Sequence, residues 1–292
     1  MIRAFSQLFS KSIATRLMVG TAVIAVLAFG ATAGITYIRS SNALLESAHG
    51  SLENLAQLEA ERISSNLTRG FDTNDALANS LLTQRADGGL ERKRASMLMH
   101  NQLTAHPEWT GVGTIWEPQA YDGKDAEFVD AEGHDASGRF MSYWAWSNGQ
   151  PMQEPLRDYE VPGNGDWYLL PRKLKQPVVL EPYVYEIGGQ KILMTTMATP
   201  MVEDGKFLGV VTVDVALKAL QESIAKLRPM GQGYVRLLSP CGTVVADRDA
   251  AKVGSKLEDA DTRAMVVGAL TNRGRPMFVQ GRRRFLLDHG LV

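Results

Sequence analysis

The stretch VVLEPYVYEIGGQKILMTTMATPMVEDGKFLGVVTVDV, residues Val178 to Val215, decides the fold. β-Branched, aromatic and methionine side chains fill three runs, Val178–Ile187, Gln190–Met201 and Lys206–Val215. Gly188-Gly189 separates the first two and Asp204-Gly205 the last two. Both pairs are hairpin signals, because their backbones readily reach the positive φ of tight turns. Three antiparallel strands in a meander follow, the centre of an α+β sheet. With side chains alternating between faces, Asp214 shares a face with Val210 and Thr212, opposite Val211, Val213 and Val215. Tyr183 and Tyr185 likewise share one face of the first run.

Working outward, Ala216–Leu227 reads as an amphipathic helix closed by Arg228-Pro229. A further β unit then begins with Tyr234–Leu238, the turn Ser239-Pro240-Cys241-Gly242 and Thr243–Asp247; Met277–Gln280 and Arg283–Asp288 suggest another hairpin. On the other side, Gly111–Trp116 and Arg139–Trp146 are strand-like. In the latter, Phe140, Trp144 and Trp146 face one way, as core, and Tyr143 the other. Gly111–Trp116 and the turn Tyr121-Asp122-Gly123 echo the start of the C-terminal unit, so the two units are read as distant repeats. The C-terminal one is expected to be incomplete where the sequence ends at Val292. Arg92–Ala105 reads as a short helix stopped by His106-Pro107, after a break at Gly88-Gly89. Residues ~41–83 lack proline and repeat apolar residues every three or four positions, a long helix with Glu59 out of pattern and Gly70 interrupting.

Leu17 to Ile38 carries no charge over about 22 residues, enough to cross ~30 Å of hydrocarbon. Arg3, Lys11 and Arg16 precede it without an acidic residue, and Glu46 and Glu53 follow Arg39. The bias puts residues 1–16 in the cytoplasm and everything from about 39 onward outside. Ala31-Thr32-Ala33 also fits a cleavable signal peptide ending near residue 33, but apolar character continuing to Ile38 favours an anchor. Either way the rest is exported.

Composition excludes several functions. A formal net charge of -1 offers no field for nucleic acid, and Arg282-Arg283-Arg284 reads as a solvated strand face. The single cysteine, Cys241, forms no internal disulfide, and the five histidines have no ligand spacing, so no metal or cofactor is expected. Gly163-Asn164-Gly165 lacks the G-x-G-x-x-G pattern and reads as a loop. No Ser/His/Asp, Cys/His or paired-carboxylate arrangement points to an enzyme.

Five segments carry a resemblance: Trp116-Glu117-Pro118, Asp166-Trp167-Tyr168, Glu181-Pro182-Tyr183-Val184-Tyr185, Thr195 to Pro200 and Gly209 to Val215. In order and spacing they resemble the double-Cache sensor domains of bacterial methyl-accepting chemotaxis proteins. The resemblance implies a transmembrane helix (17–38), a long stalk helix (40–84), a membrane-distal, ligand-binding PAS-like antiparallel-sheet module (85–215) and a membrane-proximal one (216–292) that is truncated here. It also implies a homodimer in the bacterial inner membrane, a periplasmic sensor and an output part that this sequence lacks. A histidine kinase, a diguanylate cyclase or, with a cleaved leader, a periplasmic solute-binding protein are the alternatives.

The resemblance further implies site positions kept here as Trp167, Tyr168, Tyr183 and Asp214, and the aromatic and acidic character of Asp166 and Tyr185 beside them adds both to the candidate site. Relatives that bind α-amino acids carry an arginine two residues before Trp-Tyr, where this sequence has Gly165; Glu160 replaces an earlier tyrosine, and Tyr185 replaces an aspartate. A guanidinium is the bidentate clamp for a carboxylate, and Arg157 and Arg172 are its only substitutes nearby. The remaining aromatic and acidic set suits an amine, or another small polar ligand, better than an acid. Asp214 has another reading, as cap of the helix that follows.

Overall fold

A computed structural model describes residues 13–86, 91–231, 233–239 and 241–257, with strands at 278–279 and 284–287. The chain divides into two compact units, one ending at Asn54 and one beginning at Leu55. A single helix, α1, runs Ile13–Ala86. Near its start an 18-residue window has mean hydropathy 2.0 with none of it buried, long and apolar enough to cross a membrane.

Within the second unit, α2 (Arg92–Ala105) precedes β1 (Gly111–Trp116), β2 (Met141–Ser147), β3 (Gln150–Gln153) and α3 (Asp166–Leu174). Then come β4 (Val178–Val179), β5 (Tyr183–Ile187), β6 (Gln190–Glu203), β7 (Lys206–Ala216) and α4 (Leu217–Ile224). The seven strands form one antiparallel sheet in the order β3-β2-β1-β7-β6-β4, with β5 also on β6. The meander β5-β6-β7 is the expected one.

Strand alternation divides the core in two. Val211 and Val213 of β7 and Met197 and Met201 of β6 face Leu77 and Leu81 of α1 and Met99 and Leu103 of α2. Phe140, Trp144 and Trp146 join that face, as core. Val210, Met194 and Ala198 face the other way, with Tyr143, Tyr183, Tyr185 and Trp167 and Tyr168 of α3. Burying both faces is what a sheet with large apolar side chains on each requires.

Another sheet has the order β10-β11-β8-β9, from β8 (Arg236–Leu238), β9 (Val244–Ala246), β10 (Phe278–Val279) and β11 (Arg284–Leu287). β10 and β11 pair antiparallel, as the sequence suggested, and β11 runs parallel to β8. Ala56 and Ala60 of α1, Leu217 and Ile224 of α4, and Leu237 and Val245 form its core with that helix.

The structure differs from the local readings in three places. Val178–Ile187 is two strands: Leu180 still donates to the Thr196 carbonyl at 2.9 Å, but Pro182 has no N–H to continue the ladder. As expected, α1 continues through Gly70, which is buried where a Cβ would collide with the Met197 thioether. β3 and α3 were unanticipated, α3 because Pro171 lies inside it. The break at Gly88-Gly89 lies outside the described residues, as do Arg282 and Arg283.

Candidate functional site

Asp214 lies near the end of β7, 4% exposed, on the face that carries the tyrosines. Its register partners are Thr196 of β6 and Gly111 of β1. The Thr196 hydroxyl donates to one carboxylate oxygen at 2.6 Å. The Tyr183 hydroxyl lies 2.8 Å from that Thr196 oxygen; since Thr196 spends its proton on Asp214, Tyr183 is the donor. Tyr143 donates to the other carboxylate oxygen at 2.8 Å.

Two glycines make that last bond possible. Tyr143 stands on β2, with β1 between it and β7. A Cβ on Gly111 would collide with its hydroxyl, and one on Gly113 would lie 2.8 Å from its ring. Bare backbone at both positions lets the phenol lie across β1 to reach Asp214. Tyr185 closes the group edge-on, its centroid 6.2 Å from that of Tyr143 and 6.3 Å from that of Tyr183. Its hydroxyl accepts the Arg157 N–H at 3.0 Å.

The electrostatics follow from burial. Desolvation raises the Asp214 carboxyl from 3.8 to about 6, against the opposing pull of its Thr196 and Tyr143 hydrogen bonds. Burial holds Tyr143 and Tyr183 well above the usual phenol range and Tyr185 at about 12, so all three remain neutral. Among the described residues no cationic side chain pairs with Asp214. The result is a desolvated carboxylate, two hydroxyl donors and three aromatic walls. Such a site attracts a cation through the charge and through the ring faces.

The cap reading of Asp214 is removed. The residue preceding α4 is Ala216, with no side-chain cap, and its N–H donates to the Thr110 hydroxyl at 2.7 Å.

Of the six expected site residues, Tyr183, Tyr185 and Asp214 come together. Trp167 packs in the same apolar cluster as the tyrosines, and its buried indole N–H has no partner among the described residues. Tyr168 is engaged elsewhere: its hydroxyl bonds to Glu117 and accepts from Arg139 at 3.3 Å, and its ring lies against Phe207 near the start of β7. Asp166 accepts the Gly163 N–H at 2.9 Å and braces the loop before α3. Neither substitute arginine supplies a clamp: Arg172 is held by Glu117 at 3.1 Å, and Arg157 is exposed. Gly165 is packed so that any Cβ would collide with the Asp158 and Tyr159 carbonyls.

Sequence reasoning missed Tyr143 and Thr196. Thr196 had a signal, since the hairpin register sets it opposite Asp214. Tyr143 had a fainter one, its outward parity in β2 together with the spaced glycines of β1.

Residues 96–222 match the family model described as methyl-accepting chemotaxis protein-like, first PDC sensor domain. Over 245 residues the chain is 34% identical to the methyl-accepting chemotaxis protein TlpQ of Pseudomonas aeruginosa, covering 76% of this chain and 34% of that protein. It thus spans about a third of that relative's length. Among solved structures, the extracellular domain of histidine kinase mmHK1S-Z3 is 27% identical with TM-score 0.66, covering 78% of this chain and 80% of its own. Methyl-accepting chemotaxis protein X is 27% identical with TM-score 0.60, covering 79% and 87%. Together these likenesses support a sensor domain of the chemoreceptor type.

Proposed function

We propose that this chain is the periplasmic sensing part of a bacterial chemotaxis transducer, and that it takes a small cationic amine, or an amino-acid-like molecule, at Asp214. The observation that carries the reading is a buried carboxylate walled by Tyr143, Tyr183 and Tyr185, with no cationic partner among the described residues. Leaving a buried charge unpaired costs several kcal/mol, and an ammonium beside it recovers much of that. With Gly165 at the position of the family's arginine, a carboxylate on the ligand lacks the clamp that the resemblance implies for amino-acid-binding relatives.

Around that site, residues 85–215 are the ligand-binding distal Cache module and 216–292 part of the proximal one. Residues 17–38 cross the inner membrane once, and the chain pairs as a homodimer. The sensor of a histidine kinase is the alternative reading, favoured by the likeness to mmHK1S-Z3. No catalytic role is assigned to any residue.

The test is a thermal-shift panel of primary amines, amino acids, purines and organic acids on the full chain in lipid nanodiscs. We expect hits among amines or amino acids, and a ligand at about 100 times its Kd adds ~2.7 kcal/mol of stability. Hits confined to organic acids would refute the assignment of Asp214, and a folded protein with no hit would refute the sensing role.

A further inference from the structure

We infer that the second unit holds another ligand site, an apolar one, separate from Asp214 and lying between the two sheets and α1. A cavity of about 130 Å³ lies there. Its walls come from three directions: Ile63 and Leu67 of α1, Leu180 beyond β4, and Leu237 and Val245 of the smaller sheet, with Leu220 of α4 closing the side. Its size is close to that of an aliphatic cavity of ~150 Å³ known to stay dry and accept benzene.

The polar groups at its edge are already committed. The Thr195 hydroxyl donates to the Leu180 carbonyl at 2.6 Å. The Ser239 hydroxyl donates to Glu181 at 2.6 Å, and the same carboxylate accepts from the Thr243 hydroxyl at 3.1 Å and the Cys241 N–H at 3.3 Å. An occupant therefore finds dispersion contacts and almost no free hydrogen-bonding partner. That selects a small apolar molecule, a single aromatic ring or a short branched hydrocarbon, and disfavours charged ones. A groove sharing Ile63, Leu67, Thr195 and Leu220 adjoins the cavity and supplies a way in.

The position gives such an occupant leverage. Glu181 ties the larger sheet to the turn of the smaller one, and it lies two residues from Tyr183, which hydrogen-bonds to the Thr196 that holds Asp214. A molecule seated against Leu180 and Leu237 stiffens that connection without touching the acidic site.

Fluorobenzene, followed by fluorine NMR on the full chain in lipid nanodiscs, tests this. We expect saturable binding at one site above linear partition into lipid. Leu237→Trp fills the cavity from the smaller sheet and should weaken that binding at least about tenfold. Ile63→Phe, filling it from α1, should do the same if the first variant fails to fold. A benzylamine, protonated at neutral pH, should displace bound fluorobenzene at least about tenfold more weakly than unlabelled benzene does. Purely linear uptake, or saturable binding unchanged in a folded filling variant, overturns the proposal. Amine binding at Asp214 is expected to survive in both variants, so the two sites fail independently.

Discussion

At the residue scale, Asp214 makes the sharpest statement, because its charge state and its environment pull against each other. Its carboxyl titrates at about 6 when folded, against 3.8 as a free group. Between those values the folded chain binds more protons than the unfolded one, so stability falls as pH rises through that window and levels off above it. A bound ammonium reverses the balance by favouring the ionised form. Ligand binding below pH 6 must then expel the proton, and affinity drops about tenfold for each pH unit below 6. Asp214→Asn keeps the shape and removes the titration. We expect calorimetry to show amine affinity reduced at least about tenfold at pH 7.5, and no remaining pH dependence between 4.5 and 7 from this group. We also expect the ligand-free variant to gain stability over the parent as pH rises from 4 to 7. An unchanged affinity would show that the carboxylate does not meet the ligand. The acid itself was legible, since its strand position and face follow from alternation alone. Its tyrosine partner on β2 was not, because the contact crosses an intervening strand and depends on two side chains that glycine omits. Tyr168 misled for the opposite reason: it neighbours Trp167 in sequence, but the next helical position carries its hydroxyl to Glu117 instead.

At the element scale, the contact between α1 and β6 is the one most dependent on a single residue. Gly70 brings helix backbone against the Met197 side chain, and one turn later Asn74 donates to the Met197 carbonyl at 2.8 Å, fully buried. Met197 adjoins Thr196, so this clamp fixes the strand that presents Asp214 its donor. Gly70→Leu forces a bulky side chain into that contact, and we expect a loss of about 1–3 kcal/mol in denaturant unfolding. Asp72→Leu, an exposed control on the same helix, should change stability by no more than about 0.5 kcal/mol. Equal effects at both positions would mean that Gly70 makes no close contact. Sequence patterning found α1, the hairpins and the meander because their periodicities and turn residues are local signals. It carried the helix through Gly70 but gave no reason for a glycine there, because the roughly 1 kcal/mol propensity cost is offset by packing against Met197, a contact distant in sequence. The split of Val178–Ile187 was signalled by Pro182 and overlooked. What Glu181 does once the strand breaks, namely gather three donors from the smaller sheet and its turn, is a long-range event that no local pattern records.

At the scale of the whole molecule, the remaining question is whether the apolar start of α1 stays attached. A cleaved leader and a retained anchor make different mechanical predictions, since only an anchored helix can pass a displacement from a binding site towards a membrane. The apolar window offers no buried face, so it has no protein partner among the described residues to justify its hydropathy of 2.0. Lipid is the solvent that such a surface requires. The basic residues before it and acidic ones after it set the orientation, with the sensor outside. We expect alkaline carbonate extraction to leave the intact chain in the membrane pellet, and a cysteine-reactive probe that cannot cross the inner membrane to label exposed Cys241 from the periplasmic side. Val26→Arg, in the middle of the window, costs about 2.5–3.5 kcal/mol of insertion and should shift a measurable share of the chain to the soluble fraction. A leader peptide responds differently: its removal releases a shortened protein beginning near Gly34, detected by N-terminal sequencing of the carbonate supernatant. Recovery of that species as the main product would sink the anchor. The proposed site at Asp214 would stand, but residues 17–38 would no longer tie the sensing part to the membrane.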